Sequence, residues 1–288
     1  MANHLNQHNP LISFMRQPKI YIRLPSNGEY WPPGSLEISQ TGEYPVYSMT
    51  AKDELMLKIP DAVMNGQAVV EVLQHCVPNI KNAWLAPQID IDVILIAIRL
   101  ATYGEKMITP ISIGGEEELE YVIDLRTVMD TLQSQIGWDP IVAINDNLTV
   151  FVRPMNYKQI SESALKTFET QKIMQIANND NMDEETKISA FKESFKKLTD
   201  VTIGMVQHGI YRVDTNEGST ENPDFIKEFV DNVDKDIFNA VQAHLEKLKE
   251  QNSIKPIKIE VTDEMRLKGV TGDSFELPIT FDPATFFV

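Results

Sequence analysis

The stretch PQIDIDVILIAIRLATYG, residues 87–104, decides the fold. From Ile91 to Ala101 every residue is apolar except Asp92 and Arg99. Val93, Ile94, Ala97, Ile98 and Ala101 recur at helical spacing, Asp90 is placed to cap the helix, and Gly104 is placed to end it. A helix apolar on nearly all sides belongs at the centre of a helical bundle. It is shorter than the roughly 20 residues that span a bilayer, so burial in protein is the expectation.

Toward the N-terminus the pattern shortens. KIYIRLPSNGEYW, residues 19–31, alternates Ile20, Ile22 and Leu24 against Tyr21 and Arg23, then meets the turn former Asn27-Gly28. Leu36, Ile38 and Val46 suggest further short strands. Thr50, followed three residues later by Asp53, is close to a capping box for a helix that Pro60 stops. NGQAVVEVLQHC at 65–76 reads as a second helix. Residues 1–18 form a polar arm with an apolar patch at Leu11, Ile12, Phe14 and Met15, which either folds back or reaches into a neighbour.

Toward the C-terminus, MITPISI and ELEYVIDL flank Gly114-Gly115 as a hairpin, with Glu116 to Glu118 as its solvated end. A short helix to Leu132 and a second hairpin at 141–154 follow. Residues 156–248 are helical in period. Asn178 to Asn181 break that region, Asp183 caps the next helix, Thr199 or Asp200 caps another, and 214–224 is a loop. Ile226, Val230, Val233, Ile237, Val241, Leu245 and Leu248 form the longest apolar stripe, suited to a bundle or to a short seam between subunits. KPIKIEV and SFELPITF return to strand character before Phe286 and Phe287, whose rings would tend to leave water for this chain's core or a partner. The fold class expected is α+β: a mainly helical core with short antiparallel strands or hairpins and extended N- and C-terminal segments. The division expected is an arm at 1–18, an α+β domain at 19–155, a helical region at 156–250 and an extended segment at 251–288.

Composition narrows the function. The 288 residues carry 26 Lys plus Arg against 42 Asp plus Glu, a formal charge of -16. That balance supplies no phosphate-tracking surface, so nucleic acid is not an expected partner. One cysteine, Cys76, excludes an intramolecular disulfide, a CxxC pair and a thiolate zinc cluster, and a reducing cytosol fits. No secretory leader pattern and no transmembrane run is present in the sequence. His4 and His8 lie four apart but in an Asn- and Gln-rich segment without carboxylates, and read as solvent-facing. His75 and Cys76, adjacent on a helix, point about 100° apart and do not share a reaction centre. Phosphate-loop, HExxH, GxSxG and EF-hand patterns are missing. No two carboxylates are singled out as a glycosidase pair. Lys192, Lys196 and Lys197 are a local basic face with Glu193 among them. No catalytic residue, cofactor or metal is therefore expected, and enzyme activity is not expected. Phe14, Trp31, Trp84, Trp138, Phe286 and Phe287 are candidate partner contacts, because large aromatics dominate interfaces. For the tryptophans the competing reading is a plug at the edge of their own core.

The region 19–105 resembles the baseplate protein family of T4-like contractile-tailed phages, which includes hub components and hub assembly factors. The resemblance rests on the turn Leu24-Pro25-Ser26 with Gly28, the helix start Thr50, Asp53 and Glu54, the helix Asn65-Gly66 to Cys76, and Asp90, Ile94, Ala97, Ile98, Arg99, Tyr103 and Gly104. It implies a structural or assembly protein without enzymatic activity. The partners implied are other phage tail, baseplate or hub proteins, with a homo-oligomer possible, and the location is the virion tail after assembly in the host cytoplasm. An assembly chaperone that leaves before the particle is complete is the alternative; a hydrolase with an acidic pocket ranks below both. The resemblance implies that larger relatives can carry a cysteine-rich, metal-binding element before a tail similar to FELPITFDPATFF; the corresponding segment here has no cysteine, so no such element is expected. Arg99, a lone cation in an apolar helix, is expected to pair with Asp53, Glu54 or Asp90.

Overall fold

A computed structural model describes Leu11 and residues 14–112, 118–134, 137–177, 183–267, 270–279 and 286–287. His4, His8, Ile12, the Gly114-Gly115 turn and the Asn178 to Asn181 break lie outside the described residues. The chain is α+β, as its periodicities indicate. In order, its elements are β1 (Pro18–Ile22), β2 (Tyr44–Tyr47), α1 (Ala51–Leu57), α2 (Pro60–Met64), α3 (Gln67–Cys76) and α4 (Gln88–Tyr103). Then come β3 (Lys106–Ser112), β4 (Glu118–Asp124), α5 (Leu125–Gln133), β5 (Ile141–Asn145) and β6 (Leu148–Val152). The helices α6 (Tyr157–Ala177) and α7 (Glu184–Gly209), strands β7 (Ile210–Thr215) and β8 (Gly218–Thr220), and helices α8 (Pro223–Asn232) and α9 (Lys235–Gln251) follow. β9 (Ile257–Glu260), α10 (Asp263–Leu267) and β10 (Ser274–Leu277) finish the described order.

All described strand pairs are antiparallel. β1 pairs with β2, β3 with β4, and β9 with β10, while β5-β6-β7-β8 form a four-stranded sheet in which α6 and α7 connect β6 to β7. The apolar side chains gather into two clusters. α4 lies at the centre of the first, touching β1, β2, α3, α5 and α6, and its residues from Ile89 to Ala101 are buried apart from Asp92. The second packs β5–β7 against α7, α8 and α9 through residues such as Val150, Val213, Ile226 and Val241. The cores part between Leu132 and Trp138, whereas the change of period near Asn156 marks the start of α6. After the second core the chain returns: Ile257, Leu277, Ile279, Phe286 and Phe287 all pack on the first.

Local signals act where they were legible. Thr50 closes a full capping box with Asp53, Gly104 ends α4, and Asp183 accepts from the Thr186 amide to start α7. Four readings are corrected. α4 begins at Gln88 behind Pro87, and Asp90 is its third residue rather than its cap. Thr199 and Asp200 start no new helix; their backbone continues α7, with the Thr199 hydroxyl bonded to the Phe195 carbonyl. The 226–248 stripe divides at Val233 and Asp234 into α8 and α9, because Val233 is extended (ψ 152°). The expected loop at 214–224 contains the end of β7, the turn after it and β8.

Gly66 joins the first core to α6. It sits at φ +81°, where a Cβ would lie 2.9 Å from the Ser161 hydroxyl and 3.2 Å from the Tyr157 ring. Gly66→Ala combines left-handed backbone strain with overpacking, and is expected to lower unfolding free energy by about 2–4 kcal/mol. Chemical denaturation of the full chain checks this, with an unchanged midpoint as the contrary result.

Candidate functional site

The turn Leu24-Pro25-Ser26-Asn27-Gly28 folds over the start of α4, and a buried carboxylate fastens it there. The Ser26 amide donates to Asp90 Oδ1 at 2.9 Å, while the Ser26 hydroxyl and Trp31 Nε1, the latter at 2.7 Å, donate to Oδ2. Gly28 donates its amide to Ser26 Oγ at 3.1 Å and holds φ +86°, where a Cβ would strike Ile38 at 2.9 Å. Asp90 is fully buried. Desolvation outweighs its three donors and pushes its carboxyl up to about 6. Trp31 is buried in its own core, so its expected role as a partner contact gives way to the competing one, a plug whose N–H reaches Asp90.

A second carboxylate ties α1 to α3. Asp53 Oδ2 accepts the Thr50 amide at 2.7 Å, and Oδ1 lies 2.6 Å from His75 Nδ1. Burial would raise this carboxyl, but the Thr50 and His75 hydrogen bonds together hold it below the ordinary value. Arg16 donates to the carbonyls of Ser48 at 2.6 Å and His75 at 2.5 Å, anchoring the arm beside the same joint. Phe14, two residues before that anchor, is 84% exposed. Cys76 is buried and its thiol pushed up to about 12, mainly by desolvation, so it serves packing rather than thiolate chemistry.

The last turn of α4 holds the tail. Arg99 Nη1 donates to the Phe286 carbonyl, and the Arg99 guanidinium carbon lies 5.2 Å from the Tyr103 ring and 5.4 Å from the Phe286 ring. The Tyr103 hydroxyl lies 2.8 Å from the Phe287 carbonyl and 3.0 Å from Glu54 Oε1, and its single proton serves one of them at a time. Phe286 and Phe287 meet edge to face at 5.0 Å and are both buried in this chain, which corrects their reading as partner contacts. The expected Arg99 partners have other bonds: Asp90 to Ser26 and Trp31, Asp53 to Thr50 and His75, Glu54 to Tyr103. The remaining candidates are half-buried. Trp84 tilts against Tyr157 at 5.9 Å, and Trp138 Nε1 donates to the Val152 carbonyl at 3.1 Å.

α4 thus brings together Leu24, Ser26, Gly28, Asp90, Arg99, Tyr103 and Gly104, while Thr50, Asp53 and Glu54 border it and Gly66 lies at the α6 side. These contacts hold segments in place. Among the described residues, no three His, Cys, Asp or Glu side chains come together as metal ligands. No helix among them is long and apolar enough to cross a membrane. Sequence reasoning passed over Arg16 and Tyr157, whose contacts depend on residues 59 and 73 positions away (His75 and Trp84). It passed over Asp92 as well, although a second acid inside an apolar run was visible.

The model of the T4 bacteriophage base plate protein family matches residues 18–271. The chain belongs to that family. No curated protein and no solved structure matches it. The match extends well past the 19–105 region that carries the resemblance, so the whole second core and most of the first lie within it in this base plate family member. Phe286 and Phe287 lie beyond the matched residues.

Asp90→Ala leaves three donors without an acceptor and is expected to cost about 3–5 kcal/mol of stability. In the parent protein the folded Asp90 binds its proton more tightly than the unfolded residue, near 3.8, does. Its contribution is therefore full below about pH 4 and falls as pH rises through about 6, and Asp90→Ala should remove this share of the slope while leaving that of Asp92. Urea melts from pH 4 to 7 measure both effects. Phe286→Ala should cost about 3–5 kcal/mol by emptying a filled site in the first core. Equilibrium unfolding monitored at Trp31 and Trp84 would show that loss.

Proposed function

We propose that this protein is a non-enzymatic structural component of the phage tail baseplate, placed at its hub and holding neighbouring subunits through protein–protein contacts. Membership of the base plate family is the observation that carries the reading. The geometry supports it: the polar residues of the α4 region fasten chain segments to one another, as a load-transmitting part requires. Phe14, exposed beside the Arg16 anchor, and half-buried Trp84 and Trp138 are the side chains offered to neighbours, which include other tail or hub proteins and a second copy. The net charge of -16 keeps the unassembled chain from premature association in the host cytoplasm before it joins the virion.

The test is quantitative protein identification in purified, complete particles. A fixed stoichiometric copy number, equal to that of other baseplate proteins or a simple multiple of it, is expected. Absence from particles, together with a complex with tail subunits in infected cells, would instead make the chain a departing assembly chaperone.

A further inference from the structure

Asp92 is the charged residue of α4 that the fold does not use. It is partly buried, and it makes no hydrogen bond or ion pair among the described residues. Burial alone pushes its carboxyl up to about 7. A carboxylate removed from water without donors is costly, and in a cleft it marks a place where a ligand can supply what the fold does not. Such a cleft is present. A groove of about 320 Å³ runs between α2–α4 and α6, walled by Val63, Met64, Ile91, Leu95 and Ile160. Phe287 lines it as well, and among the described residues Asp92 is the one charged side chain in its lining. The polar side chains near it among the described residues are Gln88, Ser161 and Tyr157, none of them a cation.

We propose that this groove takes a lysine or arginine side chain from a basic segment of a partner protein, with its head on Asp92. An apolar wall ending in one acid complements a long aliphatic stem ending in one cation. The volume admits such a side chain together with part of its backbone. The chain's charge of -16 draws basic segments toward it during encounter. This deepens the assembly reading, on which it rests, by naming the chemistry of one neighbour. Peptide binding in solution is independent of particle content, so the two can fail separately.

The test titrates the full chain with acetyl-Leu-Lys-Leu-amide and with the same peptide acetylated at the lysine Nζ, following the Asp92 carboxyl carbon by NMR. The lysine peptide should bind about tenfold more tightly than its neutral counterpart and lower the Asp92 pKa. Asp92→Asn should remove that difference. Ala164→Trp, placed at the α6 rim, should abolish binding without touching the carboxylate, and it serves as the second variant if Asp92→Asn does not fold. Equal affinity for the two peptides, or no binding to the folded parent protein, overturns the proposal. So does self-association that Asp92→Asn abolishes in the absence of peptide, which would assign the groove to a second copy. A fall in the Asp92 pKa with magnesium or calcium alone would assign it to a metal ion, and overturns it equally.

Discussion

A carboxylate cannot enter an apolar interior without donors, and Asp90 takes three with it. Two come from Ser26 and one from Trp31, about 60 residues earlier in the chain. Because Asp90 sits on the helix around which the first core is packed, its bonds decide where the turn after β1 can lie. The turn must then adopt left-handed backbone at Asn27, Gly28 and Tyr30. Non-glycine residues enter that region only where surrounding contacts hold them. The strain at Asn27 and Tyr30 and the desolvation of Asp90 are thus offset together or not at all.

The three charges of α4 meet burial in three ways. Asp90 is satisfied by a neighbouring turn. Arg99 bonds the main chain of the tail and lies between two rings, so its described hydrogen bond depends on a carbonyl, an atom that every residue type supplies. Asp92 faces a groove with no donor from the described residues. The first two make the helix a fastening point for distant segments; the third leaves it with capacity for another.

What could be read in the sequence was what depends on near neighbours. The Thr50–Asp53 box, the strand pairs of the hairpins expected at 107–125 and 141–154 and the burial of 91–101 apart from Asp92 follow from spacings of two to four residues, and each is present. The errors share a cause: a local signal was outweighed by tertiary packing. Asp90 had the position of a cap, but Trp31 and Ser26 compete for its oxygens. Thr199 and Asp200 resemble a helix start, yet Val206 and Gly209 of the same helix pack on the second core, and the helix runs through. Phe286 and Phe287 were recognisable as residues that would leave water, but no spacing told which surface would receive them, since the receiving residue Arg99 lies 187 positions away.

That separation has a consequence in time. A chain made from its N-terminus displays Arg99 long before Phe286 exists. At synthesis rates of about 5–20 residues per second, roughly 10–40 s pass between the making of the two. Through that interval the hydrogen bonds of Arg99 and Tyr103 to the Phe286 and Phe287 carbonyls cannot form. The share of the first core that Phe286 and Phe287 fill is therefore added after every other described residue has been made.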